Sequence, residues 1–303
     1  MGKKNIEDNV KRCYSTWGTT YYDDYYGEKA PYPPLHRDII QKILVDHQVG
    51  DLLDAGCGPA SFLRDLETLN IDLYGFDLTP EMVEEAKKVF IQNNWDPNHI
   101  WQGSVMDSDS FKQPHGGKKQ FDAIVCIGVF PHIPESEDLL AINNLREAVK
   151  PGGVVILEAR NQLFSLFTLN RYTFDFFTND LIRIDSLKKK PGVLTSQLEE
   201  AMDRLSKQFR LDLPPIRMGK KDEPGYDEVL SRTHNPLVLR EQFETAGFRD
   251  IRILFYHYHC MPPMLSDTMK NFFINESVAM ENPYDWRGFF MASAFIIMGR
   301  RND

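Results

Sequence analysis

A glycine-rich turn between an apolar run and a helical pattern is the strongest chemical signal in this chain of 303 residues. The segment 52–63 contains Gly56 and Gly58, with Asp54 at the end of the apolar run. Glycines let the backbone turn tightly beside a ligand, and the helix that follows offers free N–H groups. Asp77 closes a second apolar run about twenty residues on, where a doubly wound sheet binds the hydroxyls of a ribose. These residues predict a site for a nucleoside-type cofactor.

The loop also indicates which kind of nucleoside is bound. A dinucleotide fingerprint has a third glycine beside the pyrophosphate, whereas Gly58 is followed by Pro59, Ala60 and Ser61. A pyrophosphate would also be repelled by the carboxylate of Asp54 at short range. A cofactor with an ammonium group suits Asp54 better.

At these positions the chain resembles the class I S-adenosylmethionine-dependent methyltransferases. The resemblance is carried by five segments in order, each at a strand end or in the turn before a strand: 53–58, Asp77, 103–107, 121–126 and 145–156. It implies that S-adenosylmethionine is the cofactor. It also implies an α/β fold with a doubly wound, Rossmann-like sheet of seven strands whose last strand is antiparallel.

The resemblance assigns cofactor contacts residue by residue. Asp77 would hold the ribose hydroxyls, and Asp107 the adenine amino group, with Val105 or Met106 packed on the ring. The methionine end would lie at Asp54, Gly56 and Gly58, with an aromatic residue of an N-terminal lid nearby. The remaining predicted cofactor contacts are Leu78, Ile127, Tyr14 and Tyr22.

A histidine follows the fourth predicted strand, in the loop 128–134 that would form a wall of the acceptor pocket. The order His132-Ile133-Pro134 is similar to the corresponding loop of the ubiquinone O-methyltransferases. Transfer to a hydroxyl requires removal of a proton, and a histidine that titrates near neutral pH can accept it. His132 is therefore the predicted base. The alternative is that it only bonds a backbone group and shapes the turn.

Two further histidines end the sixth predicted strand. Alternation with a period of two places Ile251, Ile253, Phe255, His257 and His259 on one face, which becomes polar where the strand exits. His257 and His259 are therefore the reserve catalytic candidates; they would bind the acceptor or, with Glu158, a metal. The alternative is surface or hydrogen-bonded histidines, and no metal is assigned.

Other residues near the same sheet edge are candidates for binding the acceptor. Arg160, with Arg171 or the lysine run 188–190, would clamp an anionic group. Phe130 and Tyr172 complete the predicted substrate contacts.

Alternation of strand and helix patterns from about residue 36 to 161 predicts a parallel sheet with helices on both faces. An aromatic-rich segment then interrupts this pattern. We divide the chain into an N-terminal lid (1–35), the cofactor half of the core (36–161), a mainly helical cap insertion (162–232) and the C-terminal half of the core (233–303). The cap leaves the sheet at the edge where ligands bind.

Composition limits the class of partner. The net charge of −9 argues against a nucleic-acid substrate, and no apolar run is long enough to span a bilayer. The cysteines show no metal or redox spacing, which is typical of free thiols in a reducing, cytoplasmic compartment. Both a monomer and a homodimer remain open.

The sequence thus predicts an S-adenosylmethionine-dependent methyltransferase acting on a small or medium-sized metabolite. The expected acceptor is a hydroxyl of a sugar, a phenol or a natural-product intermediate. N-methylation of a small amine, or a cofactor-binding scaffold without turnover, remain alternatives. A nicotinamide oxidoreductase is disfavoured by the missing third glycine and by the turn at 149–153.

Overall fold

The computed structural model describes residues 3–15, 17, 22, 33–114, 117, 120–192, 195–213 and 228–302. Residues 18–21 and 23–32 of the predicted lid and 214–227 of the predicted cap lie outside the described residues.

A single sheet forms the centre of the described chain, and helices cover both of its faces. Its strands are β1 (Asp51–Ala55), β2 (Asp72–Asp77), β3 (Ile100–Gln102), β4 (Phe121–Cys126), β5 (Val149–Arg160), β6 (Phe248–Tyr258) and β7 (Ala292–Arg301). They lie in the order β3-β2-β1-β4-β5-β7-β6. The pairs from β3 to β5 are parallel, whereas β7 is antiparallel to both β5 and β6. The predicted fold class, with its antiparallel last strand, is confirmed.

The described helices alternate with the strands in the first half of the chain and cluster after β5. They are α1 (Lys3–Tyr14), α2 (Leu35–Asp46), α3 (Ser61–Arg64), α4 (Pro80–Gln92), α5 (Asp138–Ala148), α6 (Ser165–Thr168), α7 (Arg171–Asp175), α8 (Ile184–Lys188), α9 (Thr195–Ser206), α10 (Pro236–Thr245), α11 (Lys270–Ala279) and α12 (Gly288–Met291). A π-helical segment, Phe176–Leu181, follows α7. Among the described helices, none has the length and apolar character that crossing a membrane requires.

Local sequence explains where several of these elements begin. Thr79 occupies the N-cap position of α4 with Pro80 in the first turn, where the missing N–H of proline costs nothing. Asn235 caps α10 by accepting a hydrogen bond from the Leu237 backbone N–H. Each of these helices packs an apolar face on the sheet, and this packing sets the direction in which the loops leave the strands.

The central strands have apolar side chains on both faces, as a parallel sheet covered by helices requires. All five residues of β1 are buried, and its alternate residues join different clusters: Leu53 lies in the core on one face and Leu52 in the core on the other. The strand ends therefore project into a cleft whose position is held by two apolar layers.

The segment after β5 contains α6 to α9 within its described residues, which agrees with the helical pattern predicted there. Its first turns are held by buried polar side chains, because Thr168 donates to Asn170 and Thr173 donates to the carbonyl of Ser165. Asn170 and Thr173 also form a capping box at the start of α7. The domain boundaries themselves stay a prediction.

Candidate functional site

A cavity lies beyond the carboxyl ends of β1, β2 and β4, the edge at which open α/β sheets bind ligands. Helix α1 closes one side of it. Several residues singled out from the sequence line this cavity together: Tyr14, Gly56, Gly58, Asp77, Leu78, Val105, Met106, Ile127 and His132.

The glycine loop adopts backbone conformations that side chains rarely allow. Gly56 has φ = +97° and Gly58 has φ = +52°. A Cβ at Gly56 would overlap Cγ2 of Val129, whereas no atom lies within 4 Å of a Cβ position at Gly58. Gly56 thus permits the close approach of two loops. Gly58 leaves bare main chain facing the cavity.

Asp77 links the end of β2 to this loop. Its Oδ2 accepts from the Gly58 backbone N–H at 2.9 Å, and its Oδ1 accepts from the Thr79 backbone N–H at 2.8 Å. Burial raises the pKa of Asp77, and the backbone hydrogen bonds oppose that rise. Each carboxylate oxygen has a second lone pair, so both can still accept from a ligand hydroxyl.

Asp54 lies at the end of β1 and is buried, with 2% of its surface exposed. Among the described residues, its Oδ1 has no hydrogen-bond partner. Burial, and then the nearby charge of Asp77, raise the pKa of Asp54 well above its usual value. An orphaned carboxylate oxygen of this kind is stabilised by a positively charged ligand. The orphaned oxygen suits a cofactor that carries an ammonium group. Asp54 itself is not in the described lining of the cavity, so its contact with that group stays a prediction.

The remaining walls are apolar and suit a flat ring. Val105 and Met106 are exposed by 5% and 7%, and they face the cavity with Phe76 and Met82. Asn144 of α5 fixes the Val105 backbone by donating to its carbonyl at 3.0 Å. Asp107, predicted to bind the adenine amino group, is exposed and instead accepts from the Asp109 backbone N–H. It is absent from the described lining of the cavity.

Helix α1 covers the cavity from the side opposite the sheet. Ser104 donates a hydrogen bond to Glu7 at 2.7 Å, and Tyr14 reaches the loop after β4. Tyr22, the other predicted aromatic contact, lies elsewhere: the guanidinium of Arg64 lies 4.1 Å from the centre of its ring, and its hydroxyl donates to Asp65 at 3.4 Å. Of the two tyrosines, only Tyr14 is in the described lining of the cavity.

His132 is buried between Tyr14 and a distant segment of the chain. Its Nδ1 lies 2.7 Å from the carbonyl oxygen of Leu230, and its Nε2 lies 3.0 Å from the hydroxyl of Tyr14. The pKa of His132 is lowered to about 4, mainly because the ring is buried. The positive charge of Arg160 also lowers this pKa, whereas the hydrogen bond to Leu230 raises it. Burial disfavours the charged ring, so the expectation that His132 titrates near neutral pH is wrong, while its role as the base stays a prediction.

A second cleft, of about 620 Å³, lies between the end of β5, the helices after it and the segment 229–233. Arg160, Arg171, Tyr172 and His259 all line it. Arg160 donates to the Ser231 hydroxyl at 2.7 Å, and Arg171 donates to the Tyr172 hydroxyl at 3.2 Å. The segment that contributes Ser231 to this cleft also holds His132 through Leu230, so one stretch of chain borders both spaces.

The predicted alternation of β6 fails at its exit. His257 has φ = +57°, which breaks the period of two, so Tyr258 rather than His257 joins Phe255 in the same core cluster. His257 hydrogen-bonds the Pro33 backbone, whereas the ring of His259 packs 4.7 Å from that of Phe164. The prediction that the face of Phe255 continues to His257 is wrong. Neither lies in the described lining of the cofactor cavity.

Burial also separates Phe130 from both cavities. Its ring is fully buried in the core beside β4, with its centre 5.7 Å from that of His234. The described lining of both spaces excludes it, so the structure does not bring Phe130 to a ligand. No group of three or more histidine, cysteine, aspartate or glutamate side chains among the described residues is arranged to hold a metal ion.

Two supporting interactions were not predicted. Arg232 forms a bidentate ion pair with the buried carboxylate of Asp138, 2.9 Å from each oxygen, and donates to the carbonyl of Ile133. Through these contacts Arg232 holds the segment 229–234 against the loop that carries His132. The partners are about a hundred residues apart in sequence, a separation that periodicity over short windows does not detect.

Glu158, at the end of β5, is the second unpredicted support. It accepts from the Gly128 backbone N–H at 2.8 Å and from the hydroxyl of Tyr256 at 2.9 Å. It thereby fixes the first residue of the loop that carries His132. Its position at a strand end was a usable signal, but its partners were not apparent from the sequence.

Comparisons with known proteins agree with this site. Residues 53–155 match the methyltransferase domain family Methyltransf_12. A ubiquinone biosynthesis O-methyltransferase of Shewanella pealeana is 22% identical over 164 residues, covering 52% of this chain and 64% of that protein. The glycine N-methyltransferase of Homo sapiens is 24% identical over 154 residues, which cover 45% of this chain and 50% of that protein. These alignments span about half to two thirds of the relatives' length.

Among solved structures, an S-adenosylmethionine-dependent methyltransferase from Clostridium acetobutylicum matches with a TM-score of 0.53 at 13% identity, over 94% of this chain and 98% of that one. This likeness bears on the fold. The match over 53–155 shows a methyltransferase domain in this part of the chain, and the curated relatives named above are methyltransferases. The cofactor of this class of enzyme is S-adenosylmethionine, and the predicted family and cofactor are confirmed.

Proposed function

We propose that this protein transfers the methyl group of S-adenosylmethionine to a hydroxyl oxygen of a small or medium-sized metabolite. The observation that carries the proposal is the position of the His132 imidazole at the cavity wall after β4, with Nε2 3.0 Å from the hydroxyl of Tyr14. A hydroxyl acceptor must lose its proton during transfer, and a neutral histidine supplies a place for it.

The residues around the loop would hold the cofactor in a defined orientation. We assign Asp77 to the ribose hydroxyls, Val105 and Met106 to the adenine ring, and Asp54 with the glycine loop to the methionine end. Bound there, S-adenosylmethionine supplies a methyl group on a positively charged sulfur, which is already a good leaving group. The protein then has to orient the acceptor and provide for its proton.

The type of hydroxyl follows from the strength of the base. Because burial lowers the pKa of His132 to about 4, the imidazole is a weak base. A weak base suits an acidic hydroxyl such as a phenol, whose pKa is about 10, better than the hydroxyl of a sugar. We therefore favour a phenol or enol acceptor.

The second cleft offers groups that would hold the rest of the acceptor. Arg160 and Arg171 carry positive charge into it, and Tyr172 adds a hydroxyl. We propose that an anionic group of the acceptor binds there, under the helices that follow β5. This arrangement would explain why the cap leaves the sheet at that edge.

N-methylation of a small amine is the second candidate. A neutral amine needs no base, and the similarity to a glycine N-methyltransferase favours this alternative. A scaffold that binds the cofactor without turnover is the third.

Methyl transfer to a panel of phenols, sugars and small amines tests the proposal, with products identified by mass spectrometry. We expect methylated phenols, and we expect His132→Ala to lower turnover by about 10² to 10⁴ while cofactor affinity, measured by calorimetry, is retained. Exclusive methylation of amines would contradict the proposal. Co-purification of S-adenosylmethionine or its demethylated product with no turnover on any acceptor class would favour the scaffold.

A further inference from the structure

The hydrogen bonds of His132 define which of its ring nitrogens carries the proton. The carbonyl oxygen of Leu230 only accepts hydrogen bonds, so Nδ1, 2.7 Å away, must be the N–H donor. In the uncharged ring Nε2 is then an acceptor. The hydroxyl of Tyr14, 3.0 Å from Nε2, therefore donates its single proton to His132.

This direction of donation determines what Tyr14 presents to the cavity. A hydroxyl has one proton and two lone pairs, and the proton of Tyr14 is held by His132. Both residues line the cavity. The lone pair of Nε2 is occupied by Tyr14, so an acceptor approaching this wall would meet the oxygen of Tyr14 before it met the imidazole.

We propose that Tyr14 is the catalytic residue that takes the acceptor's proton, and that His132 acts through it as a positioning residue and final proton carrier. This inference rests on the proposed O-methylation and identifies the group that contacts the acceptor hydroxyl. In this mechanism the acceptor hydroxyl gives its proton to Tyr14 and not directly to His132.

The proton transfer balances as a two-step relay. The acceptor O–H gives its proton to Oη of Tyr14 as the oxygen's electron pair forms the bond to the methyl carbon. Tyr14 gives its own proton to Nε2, so that His132 becomes an imidazolium. The Nδ1–H group keeps its hydrogen bond to the carbonyl of Leu230. The electron pair of the broken carbon–sulfur bond remains on sulfur, and His132 later releases its proton to water.

The surroundings hold this relay in one geometry. The backbone N–H of Arg232 donates to the carbonyl of Pro131 at 2.8 Å, and its guanidinium is paired with the buried Asp138. These contacts fix Leu230 relative to the loop that carries His132. On the other side, the ring of Tyr14 stacks on Trp17, with the ring centres 5.3 Å apart. Removing the hydroxyl of Tyr14 leaves that stacking unchanged.

The first test is a double-mutant cycle with Tyr14→Phe, His132→Ala and the double variant, using Tyr284→Phe at an exposed site as the matched control. If the two residues act as a unit, each single variant lowers kcat by about 10² to 10⁴, and the double variant is no worse than either. The dissociation constant for S-adenosylmethionine should stay within a few-fold. Full kcat in Tyr14→Phe, with a loss in His132→Ala, would overturn the role of Tyr14.

The second test needs no turnover and therefore separates this inference from the proposed function. Nitrogen-15 NMR of the protein without cofactor should show His132 with Nδ1 protonated and Nε2 unprotonated at pH 7. In Tyr14→Phe the Nε2 resonance should shift towards that of a ring nitrogen without a donor, while Nδ1 remains protonated. A protonated Nε2 in the unaltered protein would overturn the relay, whatever acceptor the enzyme uses.

Discussion

Asp77 combines a structural and a binding role in one side chain. It accepts hydrogen bonds from the backbone N–H groups of Gly58 and Thr79, which ties the glycine loop to the start of α4. Asp77 also lines the cavity. Any ligand hydroxyl bound there would meet a carboxylate that the backbone has already oriented.

We expect Asp77→Ala to weaken binding of S-adenosylmethionine at least about tenfold. A charge-assisted hydrogen bond contributes about 1.5 to 3 kcal/mol, and about 1.4 kcal/mol corresponds to a factor of ten. Calorimetry on the purified variant measures this. Asp72→Ala is the matched control, because Asp72 is exposed at the opposite end of the same strand and should leave affinity unchanged. Equal affinity in both variants would refute the assignment of Asp77.

The residues recognised from the sequence share a local signature, whereas the contacts between residues far apart in the chain do not. Asp54, Gly56, Gly58 and Asp77 lie at strand ends with a known spacing, so a short window reveals them. The contact between Tyr14 and His132 joins residues 118 positions apart. It depends on how α1 packs against the sheet, which no local pattern encodes.

At the scale of elements, the loop between β1 and α3 has two glycines with different constraints. Gly56 is packed against Val129, whereas the space beside Gly58 is open. A side chain at Gly58 would meet no other atom of the protein. Substitution there therefore tests whether the positive φ and the bare backbone beside the cavity are needed to bind the cofactor.

We expect Gly58→Ala to lower both stability and cofactor affinity, and Gly192→Ala to lower stability alone. Both glycines have positive φ, +52° and +81°, with no atom within 4 Å of the added Cβ. An L-residue in this region costs roughly 1–2 kcal/mol, so urea denaturation should show similar losses. Of these two glycines, only Gly58 is in the described lining of the cofactor cavity. Unchanged cofactor affinity in Gly58→Ala would show that the ligand does not approach this backbone.

Element order was predictable to a large extent, while the course of single strands was not. The alternation of patterns from residue 36 to 161 correctly predicted parallel strands with crossover helices. The exit of β6 was predicted from alternation alone, and the left-handed conformation of His257 altered the outcome. Such a conformation in a non-glycine residue is stabilised by its surroundings, which include the Pro33 backbone contact.

At the scale of the whole molecule, several histidines are enclosed when the chain folds. Burial lowers the pKa of His36 to about 3 and those of His132, His257 and His259 to about 4. Unfolding returns each ring to water. The unfolded chain therefore binds protons in mildly acidic solution that the folded chain does not.

We expect the buried histidines to make the free energy of unfolding rise with pH between about 5 and 6, while Glu281, whose pKa burial raises to about 7, contributes with the opposite sign. His36→Gln should therefore lower the net slope. The ordinary pKa of 6.5 and the lowered value of about 3 mean that His36 gains a proton on unfolding throughout this range. Its removal should lower the slope by about 1.0 to 1.3 kcal/mol per pH unit. Denaturant unfolding at several pH values measures the slope.

Ile40→Val, on the same buried face of α2, is the control for this measurement. It should lower stability by about 0.5–1.5 kcal/mol at every pH without altering the slope. An unaltered slope in His36→Gln would mean that His36 binds protons equally in both states.

The position of β7 also has a consequence for how the chain is made. Among the described strands, β6 pairs only with β7, and β7 lies between β6 and β5. Because β6 precedes β7 in the chain, β6 emerges from the ribosome first, and until residues 292–301 emerge the nascent chain carries an unpartnered β6 and an open edge on β5. Open strand edges invite pairing with other chains. Until β7 has paired with both neighbours, the nascent chain therefore exposes strand edges to association with other chains.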